Sequence, residues 1–224
     1  MMESNAIPAP LAGPDGCAGP TADRAPVTGT VAALAAQGWS VTPDFLEPDL
    51  VAVLRQELTD AWTSGAFRRA GVGRGAQREF RPEVRTDWVR WLDPQTCSAA
   101  QGAYLAALER LRQALNAALY LGLFEFEAHQ AVYPPGSYYR KHLDQFIGIG
   151  ARRVSCILYL NADWQADDGG QLRLYTDAEV PDRHVDILPT GGTLATFLSA
   201  RFLHEVLPAR RARMSITGWF STRG

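Results

Sequence analysis

A histidine and an aspartate two residues apart, His142-x-Asp144, close the stretch YPPGSYYRKHLD from Tyr133 to Asp144. Residues i and i+2 of a β-strand point to the same face, so an imidazole and a carboxylate at this spacing can meet one ion. His204, in FLHEVLPA, supplies a third candidate ligand. Two imidazoles and one carboxylate on one side of a metal leave coordination positions open for small molecules, the donor set of non-haem iron(II) sites. Arg213 follows on the next expected strand, and its planar guanidinium can grip a carboxylate through two parallel hydrogen bonds.

Strand parity supports this set. In RMSITGWF, Arg213, Ser215, Thr217 and Trp219 share one face, while Met214, Ile216 and Gly218 share the other. A strand face carrying Arg and Thr would be penalised for burying charge unless it lines a pocket that pairs that charge. In VSCILYLN the same alternation sets Ser155, Ile157 and Tyr159 against Val154, Cys156 and Leu158, so Tyr159 can offer its hydroxyl to the carboxylate that Arg213 holds.

The elements that must position these residues are short. From Phe124 onward, FEFEAHQAVY, VSCILYLN, GQLRLYT, VDILP, TLATFLS, HEVLPA and RMSITGWF alternate like strands, with Pro/Gly and Asp/Gly turns between them. Many short antiparallel strands imply a sandwich or jelly roll. Upstream, Glu47-Pro48-Asp49 opens an amphipathic helix with Leu50, Val53, Leu54, Leu58 and Trp62 on its stripe. A second helix, from about Cys97 to Leu119, carries Leu105, Leu108, Leu111 and Leu115. Both are expected to pack outside a sheet. Between them, an arginine-rich segment with three glycines reads as a mobile loop, and TDWVRWLD reads as a strand.

Residues 1–28, rich in Pro, Ala and Gly, read as a disordered leader, and residues 29–224 as one domain. A short helix from AALAAQG closed by Gly38 is expected, with structure beginning near Val31 and WSVTPDFL leaving as a strand. The 224 residues carry a net charge of −2, which gives no sign of nucleic-acid binding. The three cysteines, Cys17, Cys97 and Cys156, have no C-x-x-C spacing, so neither a disulfide framework nor a structural zinc site is expected. With no secretory signal and no long apolar run, the expected location is cytoplasmic, without membrane partners.

Taken together, Tyr133…Tyr139-x-x-His142-x-Asp144, RRVSCILYLNADW, DGGQLRLY, HEVLPA and RMSITGWF resemble the iron(II)- and 2-oxoglutarate-dependent prolyl hydroxylases, and are most similar to the branch of the oxygen-sensing enzymes and their bacterial relatives. The resemblance runs from about Gly38 to Phe220. It implies a double-stranded β-helix, mainly β, with two or three buttressing helices. It implies iron(II) on His142, Asp144 and His204, with 2-oxoglutarate and dioxygen as cosubstrates and ascorbate as a supporting reductant. Arg213 and Tyr159 would hold the distal carboxylate of 2-oxoglutarate, and Tyr133 and Thr217 would line its pocket. Tyr139 and Trp219 would border the entry of a target prolyl ring. The implied reaction is 4-hydroxylation of a prolyl residue in a protein by a monomeric enzyme, with release of succinate and carbon dioxide. For the bacterial branch, a translation factor is the implied substrate.

Some residues depart from the family or compete for these roles. His129 stands where the oxygen-sensing enzymes carry an apolar residue, and reads as a supporting or core histidine near the metal. His184 reads as solvated at a turn, and Arg210 and Arg211 as solvent-facing. The segment from Phe67 to Pro82 differs from its family counterparts. Beyond it, Arg85, Asp87 and Arg152 are expected at the substrate, with Asp87 paired to Arg152 to anchor a lid. Other readings of the same residues are a hydroxylase of a free amino acid or small metabolite, and a non-catalytic jelly-roll sensor or binding module. Imidazole and carboxylate also accept manganese and other divalent ions.

Overall fold

The computed structural model describes residues 25–73, 79–144, 152–177, 179–180 and 182–223. Helix α1 (Ala25–Gln37) starts six residues before the expected onset near Val31, so the end of the expected leader, Ala25 to Thr28, is helical. Pro26 suits a first helical turn, where its missing N–H has no partner to lose. The helix is fixed from further along by buried Leu34 and by Thr30, whose hydroxyl meets that of Thr42 at 2.7 Å. The rest of the leader lies outside the described residues.

Strand β1 (Trp39–Thr42) leads into α2 (Pro48–Thr63), with Pro48 in the first turn. Val51, Leu54 and Leu58 are its buried residues, whereas Val53 is half exposed. The apolar stripe is therefore rotated from the expected one. Strand β2 (Arg68–Arg69) pairs antiparallel with β3 (Trp88–Trp91). Beyond β2, Val72 and Glu79 exchange backbone hydrogen bonds of 2.8 Å. The main chain of the arginine-rich segment thus pairs at Arg68, Arg69, Val72 and Glu79, where Arg side chains on an edge strand can stay in solvent, and the centre of the expected mobile loop, residues 74–78, lies outside the described residues.

Helix α3 (Ala99–Leu119) is capped by Ser98, whose hydroxyl accepts the Gln101 N–H at 3.1 Å. Then come β4 (Leu123–Tyr133), β5 (Tyr139–His142), β6 (Arg152–Tyr159), β7 (Leu172–Tyr175), β8 (His184–Ile187), β9 (Leu194–Leu198), β10 (His204–Val206) and β11 (Arg213–Thr222). They form a seven-stranded sheet, β1-β9-β6-β11-β4-β3-β2, facing a four-stranded sheet, β5-β10-β7-β8. The fold is the expected jelly roll.

Two cores follow from strand parity. On one face of the large sheet, Val154, Cys156, Leu158 and Ile216 pack against Leu54 and Leu58 of α2 and Leu108, Leu111 and Leu115 of α3. On the other, Ala131, Tyr133, Ile157 and Tyr159 meet Leu172, Leu174 and Val206 of the small sheet. The helices therefore brace one side of the large sheet and leave its other side to line a cavity. At Gly218 the approach of β4 to β11 leaves no room for a side chain: a Cβ there would stand 2.5 Å from Phe126 Cζ and 2.7 Å from the Glu127 carbonyl oxygen. Among the described residues no helix is long and apolar enough to cross a membrane.

Candidate active site

Between the sheets lies a cavity of about 570 Å³ whose lining includes His142, Asp144, His204 and Arg213. Antiparallel pairing of β5 with β10 sets His142 directly opposite His204, with ring centroids 4.2 Å apart. Asp144 is not on the strand with His142, as its spacing had suggested. Strand β5 ends at His142, and Asp144 follows in a bend that turns its carboxylate inward. Its Oδ1 is 3.6 Å from His142 Nε2, and its Oδ2 is 3.6 Å from His204 Nε2. One ligand atom from each residue lies within 4.8 Å of the other two, a group able to hold one metal ion.

The surroundings orient these donors. His142 Nδ1 is 2.7 Å from the Arg140 carbonyl, and His204 Nδ1 is 3.1 Å from that of Phe202. A carbonyl only accepts, so each Nδ1 carries the proton and each Nε2 turns a lone pair to the centre. Burial pushes His204 down to about 4, so this imidazole is neutral at neutral pH and free to ligate. For Asp144, burial works toward the acid form, but His204, His142 and the Ser155 hydroxyl outweigh it and keep the group a carboxylate. Ser155 donates to Asp144 Oδ2 at 2.7 Å and lies 2.9 Å from Ser199 Oγ. With its proton so committed, Ser155 accepts from Ser199, and the chain of hydroxyls fixes the carboxylate. Tyr139 stacks on His142 with ring centroids 3.6 Å apart.

Arg213 is 2% exposed. Its Nε donates to the Gly170 carbonyl at 2.8 Å, and its guanidinium carbon stands 5.0 Å from the rings of Tyr133 and Tyr159. Among the described residues no carboxylate pairs with it. A buried guanidinium without an acidic partner is costly unless an anion completes the site. The Tyr159 hydroxyl and Ser215 Oγ, both buried, also have no hydrogen-bond partner among the described residues. Burial pushes the Tyr159 phenol up to about 12, with Arg213 opposing the rise, so the hydroxyl keeps its proton and can donate it. The donor set thus fits a dicarboxylate with one carboxylate on Arg213 and Tyr159, and a divalent metal on the two imidazoles and Asp144. Gly170 permits this: its φ is +69°, and a Cβ there would lie 3.2 Å from Arg213 Cδ.

Thr217, Tyr133, Tyr139, Trp219, Arg85 and Arg152 line the cavity. Asp87 does not pair with Arg152. It is 1% exposed and holds Arg85 through two hydrogen bonds of 2.6 and 2.8 Å, while Arg85 lies 4.1 Å over the Tyr139 ring. Arg152 instead pairs with Glu127 at 2.7 Å and covers the Trp219 ring at 3.7 Å. Arg85, two residues away, satisfies Asp87 locally, which leaves Arg152 to its cross-sheet neighbour. His129 is buried on the cavity wall between the rings of Trp91 (5.0 Å) and Trp219 (5.4 Å). His184, the first residue of β8 rather than a turn residue, is exposed, and Arg210 is also exposed. Arg211, half-buried, donates to the Ala162 and Asp163 carbonyls.

Sequence reading missed Ser155 and Ser199 as supports of Asp144, and Glu127, Trp91 and Arg68 as cavity residues. Glu127 stands two and six residues before His129 and Tyr133, so strand parity puts it on their face. Trp91 shows only through the register of β3 on β4, which opposes it to His129.

Residues 128–221 match the family model described as the 2OG-Fe(II) oxygenase superfamily. The chain is 43% identical to a Pseudomonas putida prolyl-4-hydroxylase of known crystal structure, covering 88% of this chain and 100% of that one with a TM-score of 0.79. A Trichoplax adhaerens prolyl hydroxylase, solved with a peptide fragment of the hypoxia-inducible factor oxygen degradation domain, is 27% identical, with a TM-score of 0.78 over 89% of this chain and 90% of that one. Egl nine homolog 1 of Homo sapiens is 30% identical over 82% of this chain, which spans 43% of the human protein's length.

Proposed function

The chain belongs to the prolyl hydroxylase family of 2-oxoglutarate- and iron(II)-dependent oxygenases, and on that premise we propose that it hydroxylates a prolyl residue in a protein or peptide. The observation that carries the reading is the pairing, in one cavity, of the His142–Asp144–His204 cluster with a buried arginine that lacks an acidic partner among the described residues. Iron(II) with 2-oxoglutarate and dioxygen supplies an oxidant that places one oxygen atom on a substrate C–H, releasing succinate and carbon dioxide.

The protein's part is to hold and exclude. His142 Nε2, His204 Nε2 and the Asp144 carboxylate would bind the metal. Arg213 and the Tyr159 hydroxyl would take the distal carboxylate of 2-oxoglutarate, with Tyr133 and Thr217 beside it. Burial of Arg213, Tyr133 and Tyr159 removes water from that end and strengthens each charged contact. No side chain has to move a proton at the substrate carbon. Tyr139, pressed on His142, and Trp219, under Arg152, border the entrance for the prolyl ring.

A protein or peptide substrate suits a mouth lined by half-exposed Trp91 and Leu143, which offer apolar contact beyond the reach of a single amino acid. A translation factor is the first protein to test, with the enzyme acting as a monomer. The experiment is mass spectrometry after incubation with proline-containing peptides, with free proline in parallel. Peptide hydroxyproline that depends on iron and 2-oxoglutarate is expected. Hydroxylation of free proline alone would turn the assignment to a small-molecule hydroxylase.

A further inference from the structure

The arginines of the cavity wall are not equivalent. Arg85 is held by Asp87, Arg152 by Glu127, and Arg213 is buried beside Tyr133 and Tyr159. Arg68 also lines the cavity, yet it is exposed and no side chain among the described residues pairs with it. Its neighbour Arg69 is turned away, onto the rings of Phe80 (5.0 Å) and Trp88 (5.1 Å).

Sheet register fixes where Arg68 stands. It lies opposite Val89, which lies opposite Ala131, then Ser215, then Tyr159. Directly opposed residues in antiparallel strands put their side chains on one face. Arg68 therefore shares the face of Tyr159 at the far end of the same row, on the edge strand of the large sheet. The side chains between them, Val89, Ala131 and Ser215, are small. Four strand spacings of about 4.8 Å put Arg68 roughly 19 Å from Tyr159, and Ser155, beneath Asp144, lies four residues or about 13 Å further along β6, so the straight separation from Arg68 is about 23 Å. An extended peptide at about 3.3 Å per residue covers that distance in about seven residues.

We propose that Arg68 determines substrate specificity by binding an acidic side chain within about seven residues of the target proline. The proposal rests on the peptide-hydroxylase reading. The charge balance of the mouth favours it: Glu127 is neutralised by Arg152 and Asp87 by Arg85, and with buried Arg213 given to 2-oxoglutarate, Arg68 is the exposed cation of the described lining without an acidic partner. An aspartate or glutamate of the substrate would complete that pair at the mouth.

The test is a peptide library with one fixed proline and random residues on both sides, turned over by the iron- and 2-oxoglutarate-supplied protein, with hydroxylated products sequenced. Wild-type protein should enrich Asp and Glu at a position near the hydroxyproline. Arg68→Ala should flatten that enrichment, and Arg68→Glu should replace it with Lys and Arg. For one acid-flanked peptide, Arg68→Ala should raise KM by about fivefold, as a partly exposed ion pair implies, with the effect falling on KM rather than kcat. Hydroxyproline formed with no charge preference, or a preference unchanged in Arg68→Glu, would overturn the proposal and leave the hydroxylase reading standing. No hydroxyproline from any peptide with the wild type would sink the parent reading and the proposal with it.

Discussion

At the scale of single residues, the centre depends on groups that fix its donors as much as on the donors themselves. Ser155→Ala removes the hydroxyl that holds Asp144 Oδ2 and should weaken metal binding by about 10- to 100-fold. Titration with manganese(II) reads this directly, and unchanged affinity would mean that Asp144 is held by its bend alone. Asp87→Ala leaves the Arg85 guanidinium buried without its partner and should cost about 3–5 kcal/mol of stability, seen as a lower Tm. Residue identities were legible where alternation constrained them: Arg213 and Tyr159 came onto one face by counting. The Asp87 partner was not, because a two-residue separation in an irregular segment competes with a cross-sheet distance that no sequence reveals. His142-x-Asp144 was recognised by its residue types, although the bend, rather than strand alternation, brings the two together.

At the scale of elements, the site is set by where strands approach. Gly170→Ala adds a methyl group 2.9 Å from Ala209 Cβ and 3.2 Å from Arg213 Cδ, in a backbone conformation with φ at +69°. It should displace Arg213 and raise the apparent KM for 2-oxoglutarate by more than about tenfold, while manganese(II) affinity at the triad stays near wild type. An unchanged KM for 2-oxoglutarate would show that Arg213 does not depend on this turn. The strands β4, β6, β7, β9 and β11 could be read from alternation and turn residues. The two-residue β2 could not, since its two arginines carry no apolar signal and its pairing is made by the main chain. The stripe of α2 was misplaced for a related reason: Val51 and Val53 are both apolar, and only packing against the sheet decides which is buried.

At the scale of the whole molecule, three helices brace one face of a sheet so that the opposite face can enclose a cavity with the His142, Asp144 and His204 side chains at one side and a buried cation at the other. Pairing of the two sheets was beyond sequence reading, because register between distant strands follows from mutual packing. Ligand binding to such a folded site stabilises it by mass action, by about 2.7 kcal/mol at a hundredfold excess over Kd, and so raises Tm. Manganese(II) with 2-oxoglutarate should therefore raise Tm by several degrees, a shift absent in His204→Ala. The most direct test of the central claim is succinate production from 2-oxoglutarate by protein reconstituted anaerobically with iron(II) and then exposed to dioxygen. Succinate that requires both iron and dioxygen, and that is lost in His142→Ala, is the predicted result. Wild-type protein that makes no succinate and binds neither iron(II) nor 2-oxoglutarate would contradict it, as would wild-type turnover in His142→Ala.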